Sequence, residues 1–105
     1  KEITLDVITG IKDKSGTATD FKLEQNYPNP FNPSTIIKFT IPSSSLVNLT
    51  VYDILGKEVT RLVNDVKPAG KYEIDFDASE LSSGIYYYKL SAGDYSTTKK
   101  MVLIR

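Results

Sequence analysis

The amino-acid sequence predicts an all-β fold, an antiparallel β-sandwich of about seven short strands. Three observations lead there. Apolar residues recur with period two in one stretch after another, which is the mark of half-buried strands. Glycine, proline and asparagine punctuate those stretches at short intervals. No segment carries the longer periodicity of a full helix. Many short strands with turn signals between them form two packed sheets, an immunoglobulin-like architecture without the cysteine pair and tryptophan of antibody domains.

Taken in chain order, "KEITLDV" reads as a strand with Ile3, Leu5 and Val7 on one face. Residues 1–9 are expected to be an added edge strand or, preferably, the last strand of a preceding domain. "TGIKDKSGTATD" is polar and has few residues able to anchor it, so residues 10–20 read as a linker. The folded domain is expected over 21–105, the chain being a piece of a longer protein. "FKLEQNY" aligns Phe21, Leu23 and Tyr27 as inward residues. "NYPNPFNPST" follows, and its three prolines exclude both a helix and a central strand, because each lacks an amide hydrogen. It is predicted to be a stiff, extended connector.

"TIIKFTIP" aligns Ile37, Phe39 and Ile41, and "LVNLTVYD" aligns Val47, Leu49 and Val51 against Asn48, Thr50 and Tyr52. "DILGKEV" is a hairpin turn with Gly56 at its tip. In "KEVTRLV", Val59, Leu62 and Val63 have helical spacing, yet β-branched Thr60 and the flanking turns predict a short strand with a bulge. "GKYEIDFD" points Tyr72, Ile74 and Phe76 inward and Asp75 and Asp77 outward. "DASELSSG" is expected to make one helical turn capped by Ser79 or Asp77, with Gly84 past its end. "GIYYYKLSAG" points Tyr86, Tyr88 and Leu90 inward and joins "YSTTKKMVLIR" through a Gly93-Asp94 turn. The last strand ends apolar on both faces, so its register is left open.

Composition narrows the chemistry. With no cysteine and no histidine, the chain offers no thiolate, disulfide or thiol-bound metal, and it lacks the commonest general base. Its 13 basic residues balance its 13 acidic ones, without the basic excess that nucleic-acid binding requires. No apolar run has the length of a membrane helix. Asp75 and Asp77 read as a solvated sheet surface rather than as a glycosidase pair or a calcium site. Alternation sends Tyr87 to the face opposite Tyr86 and Tyr88, and a single exposed tyrosine is a poor platform for a sugar. Asn48 fits the glycosylation pattern but is simply a polar strand position if the host is bacterial. No cofactor is expected, and an enzyme is the class least supported.

The runs "FKLEQNYPNPFNPSTIIKFTIP", "VYDILGKEVTRLV", "PAGKYEIDFDASELSSGIYYYKL" and "TTKKMVLIR" resemble, in this order, the C-terminal sorting domain of type IX secretion substrates. The resemblance covers Phe21 to Arg105. It implies a non-catalytic tag that directs a folded periplasmic cargo through an outer-membrane translocon of a Gram-negative bacterium. It also implies a sortase-like peptidase that removes the tag and can attach the cargo to surface lipopolysaccharide. Its motif positions here are Asn29, Pro30, Phe31, Asn32 and Pro33, then Gly84 and Tyr86, then Lys99 and Lys100.

Beside that resemblance stand two expectations from physical chemistry. An edge strand can be read by strand addition whatever the cargo. The recognition surface is therefore expected on Tyr95–Arg105, including Lys99, Lys100, Met101, Val102, Leu103, Ile104 and the terminal Arg105. The proline-rich segment would then lock the opposite end of the sandwich, with Phe31 as a buried anchor. Cleavage is expected in the linker, around Gly10, Ser15, Gly16, Thr17 and Asp20. The competing expectation is an adhesive or carbohydrate-binding accessory module of a secreted enzyme.

Overall fold

The computed structural model describes residues 20–105. The expected strand over 1–9 and the linker residues Gly10, Ser15, Gly16 and Thr17 lie outside the described residues, while Asp20 is exposed. Seven strands make up the described residues: β1 (Lys22–Leu23), β2 (Ser34–Ile41), β3 (Ser45–Tyr52), β4 (Glu58–Lys67), β5 (Gly70–Asp77), β6 (Gly84–Ala92) and β7 (Tyr95–Leu103). They form two antiparallel sheets, ordered β1-β2-β5 and β4-β3-β6-β7. Antibody constant domains put their fourth strand in the sheet of the first two. Here β4 pairs with β3 instead, in the larger sheet.

The period-two pattern builds the core as expected. Ile37, Phe39 and Ile41 of β2 and Phe76 of β5 face Val47, Leu49 and Val51 of β3 and Tyr88 and Leu90 of β6. β7 resolves its own ambiguity: Met101 and Leu103 are buried, whereas Val102 is half-buried and Ile104 is 50% exposed. Tyr72 and Ile74 are only partly buried, because β5 is a sheet edge.

Several local expectations are sharpened and one is corrected. β4 is ten residues long and carries two irregularities, so that Leu62 and Val59 are extra residues opposite β3. Each extra residue shifts the alternation by one, which turns strand spacing into the helix-like spacing of Val59, Leu62 and Val63. The helical turn expected over 77–84 is a single hydrogen-bonded turn, closed by the Leu81 N–H on the Ala78 carbonyl at 3.0 Å. The Asp77 carboxylate accepts the Ser79 N–H at 2.9 Å, and Gly84 opens β6. Tyr27 points outward, 79% exposed, because the chain leaves strand geometry after Leu23 and buries Asn26 instead. The two glycine turns stand as expected, with φ of 86° at Gly56 and 59° at Gly93, values that glycine adopts at little cost.

The strand registers give the sandwich a polarity. β1 enters beside Thr40, at the end that holds the β2–β3, β4–β5 and β6–β7 turns. The start of β2 and the ends of β3, β5 and β7 gather at the other end. There the Asp53 carboxylate accepts the N–H groups of Leu55 and Lys57, both at 2.9 Å, and holds a turn on which Ile54 and Leu55 are exposed.

Candidate functional site

The proline-rich segment lies along the edge of β7. It does not lock the opposite end of the sandwich. Pro28 and Pro30 have no amide hydrogen, so the segment cannot pair as a continuous strand. Phe31 makes the backbone contacts alone: its N–H donates to the Val102 carbonyl and its carbonyl accepts the Ile104 N–H, both at 2.9 Å. The Asn29 side-chain oxygen takes the Val102 N–H at 2.9 Å, and the Gln25 amide donates to the Lys100 carbonyl at 2.7 Å. Phe31 is buried as expected, its ring 6.2 Å from that of Phe76. The three X-Pro bonds, at Pro28, Pro30 and Pro33, are cis.

This latch divides the β7 edge. Groups facing away from β6 alternate along the strand. Val102 and Ile104 are taken up by the segment, and Ser96 and Thr98 share their edge. Among the described residues, Ser96 and Thr98 have no backbone partner on that side. The surface expected over Tyr95–Arg105 therefore offers an open edge in its first half only.

The other expected residues divide between the two ends. Gly84 pairs with Leu103, and the Tyr86 hydroxyl donates to the Ser82 carbonyl at 2.7 Å. The Arg105 guanidinium donates to the carbonyls of Ser79 at 2.7 Å and Leu81 at 2.6 Å, pinning the chain to the 78–81 turn. Pro30 and Asn32 are exposed, and the Pro33 carbonyl accepts the Ala78 N–H at 2.9 Å. Tyr95 is away from this group, stacked on Phe21 with ring centroids 5.0 Å apart near the entering chain. Lys99 is half-buried on the inner side and Lys100 is exposed on the outer face.

A buried polar network beneath the latch was not foreseen. Tyr88 is fully buried, and its hydroxyl donates to the Glu24 carbonyl at 2.7 Å while accepting the Asn26 N–H at 2.8 Å. Burial pushes its phenol up to about 12, against a smaller opposing effect of the Asn26 hydrogen bond. Asn26, 2% exposed, donates from its amide to Thr35 Oγ1 at 3.0 Å and to the Pro28 carbonyl at 3.1 Å. Gln25 closes the set by donating to Asn26 Oδ1 at 2.7 Å. Every member of this network fixes the approach of the proline-rich segment to the core.

Chemistry for catalysis is sparse. Among the described residues no group of three histidine, cysteine, aspartate or glutamate side chains could hold a metal ion. No described helix is long and apolar enough to cross a membrane. Asp75 and Asp77 are exposed at the rim of an open cleft of about 310 Å³, above Val59, Leu62 and Leu81.

The family described as "Secretion system C-terminal sorting domain" matches residues 25–104, from Gln25 of the latch to Ile104 at its far side. The chain belongs to that family. The sorting domain serves the type IX secretion system, as the C-terminal signal of its cargo, and implies a secreted or cell-surface protein. A solved structure of PorZ, an essential surface component of the type-IX secretion system of Porphyromonas gingivalis, matches with a TM-score of 0.55 and 17% identity. The match covers 87% of this chain and 13% of the PorZ chain. At that identity the likeness concerns the fold. No curated protein matches the sorting domain in sequence.

Proposed function

We propose that the domain works as a rigid, non-catalytic address read at β7 and at the latch that covers half of its edge. The observation that carries this reading is the bonding of Asn29 and Phe31 to Val102 and Ile104. It joins the proline-rich motif to the terminal strand, so neither can be displayed correctly without the other. The open half of the edge, at Ser96 and Thr98, is the place for strand addition by the translocon, since backbone pairing is independent of the cargo. The latch lies at the end of the sandwich away from the entering chain, whereas the open half of the edge adjoins that chain, where Tyr95 stacks on Phe21.

In this account the cargo crosses the periplasm folded, and a sortase-like peptidase cuts within residues 10–20. Two measurements test the reading. A reporter fused ahead of residues 1–105 should reach the cell surface or the medium; its retention in the periplasm would contradict the proposal. Mass spectrometry of the mature cargo should find its new C-terminus between Gly10 and Asp20, and an end beyond Tyr27 would refute the cleavage site.

A further inference from the structure

The outer face of the four-stranded sheet carries a depression that the sorting role does not use. Strand pairing sets side chains there in cross-strand rows. Thr50 lies between Arg61 of β4 and Lys89 of β6. On one side of that row Asn48 lies beside Ser91, and on the other Tyr52 lies beside Tyr87, with Lys100 next across β7. A short residue between two long cations leaves a hollow of about 130 Å³ with Thr50, 5% exposed, as its floor. Tyr87 is thus paired on this face with Tyr52, contrary to the expectation of a lone exposed tyrosine.

The charges around the hollow are three cations, Arg61, Lys89 and Lys100, and one carboxylate. Glu58 is the single carboxylate in these rows, and it is bound to Arg61 at 3.0 Å. Lys89 and Lys100 have no ion pair among the described residues. The Thr50 hydroxyl donates to Asn48 Oδ1 at 2.9 Å, which leaves the Asn48 amide nitrogen to donate to a ligand. The lining is hydroxyl, amide and cation, with no apolar niche for a peptide side chain and with two half-buried phenol rings at its margin.

We propose that this face binds an acidic sugar. Its carboxylate or phosphate sits over Thr50 between Arg61 and Lys89, where charge-assisted hydrogen bonds are strong. Its ring rests beside Tyr52 and Tyr87, and its hydroxyls meet Asn48 and Ser91. The site is separate from the latch and does not depend on the sorting reading.

Calorimetric titration of the 105-residue chain tests it, with galacturonate and mannose-6-phosphate oligomers as probes and neutral maltohexaose and hexaglutamate beside them. At least one acidic oligosaccharide should bind about tenfold or more tighter than either comparison ligand. Lys89→Glu and Tyr87→Ala should each weaken that binding several-fold, and Lys71→Glu on the other sheet should leave it unchanged. Amide shifts on titration should centre on Thr50, Tyr87 and Lys89, which locates the site without any variant. Equal or tighter binding of hexaglutamate would point to an acidic peptide and overturn the proposal. So would failure of both acidic sugars to bind, indifference to Lys89→Glu, or shifts centred elsewhere.

Discussion

Asn29 and Val102 are 73 residues apart in sequence and joined by one hydrogen bond of 2.9 Å, from the Val102 N–H to the Asn29 side-chain oxygen. With prolines on both sides of Asn29, no backbone amide from 28 or 30 can serve this edge. The side chain substitutes for the missing strand. A short amide acceptor at this position is therefore a structural requirement of the latch.

Asn29→Ala should loosen the latch without unfolding the sandwich. The bond is exposed and water can replace it, so the cost is about 0.5–1.5 kcal/mol. Phe31→Ala removes a buried ring and should cost about 3–5 kcal/mol. Hydrogen exchange checks the difference: Asn29→Ala should speed exchange at Val102 and Ile104 and leave Leu90 protected. Uniform acceleration across β3 and β6 would contradict a local latch.

Tyr88→Phe should destabilise the domain by about 1–3 kcal/mol, because the Glu24 carbonyl and the Asn26 N–H lose a buried partner. Its pH dependence has a definite sign. Burial raises the phenol from 10.0 to about 12, so the folded state holds this proton while the unfolded state releases it. The contribution is complete below pH 10 and is lost as pH rises toward about 12. Denaturation of wild type and Tyr88→Phe across that range should show the stability gap narrowing. A gap that widens would contradict the assignment.

Arg105→Ala should act on the 78–81 turn alone. The guanidinium spans carbonyls of Ser79 and Leu81 at the surface, and its loss should cost about 1 kcal/mol. Limited proteolysis should become faster at Ser79–Ser83, with a fall of about 4–8 °C in melting temperature.

Thr98→Pro separates reading from folding. The Thr98 N–H lies on the open edge, where a proline removes a donor without breaking the ladder to β6. The melting temperature should stay within a few degrees while export of a fused reporter falls several-fold. Unchanged export would rule out strand addition at this half of β7.

The fold was legible because alternation is a local property: Ile37, Phe39, Val47, Leu49, Tyr88 and Leu90 each declare their face through their neighbours. Phe31 was also legible as an anchor, being the one large apolar residue among prolines and asparagines. The latch was not legible. Its partners are backbone groups of Val102 and Ile104, which no side-chain pattern reports, and its register depends on a contact across the whole chain. Asn26 hid for a similar reason, since a buried amide looks like a turn residue until Tyr88 and Thr35 are placed beside it. β4 was legible as a bulged strand, but its ten-residue length and second irregularity were not, because each extra residue shifts Val59 and Leu62 off strand spacing. The Tyr52–Tyr87 pair required the register between β3 and β6.

The most direct measurement compares export of one reporter carrying the intact chain with the same reporter cut after Lys99. Removing Met101 to Arg105 and Lys100 takes away Leu103 from the core and both backbone partners of Phe31. The truncated fusion should accumulate in the periplasm while the intact fusion reaches the surface or the medium. Equal export of the two would contradict a signal residing in the latched terminal strand.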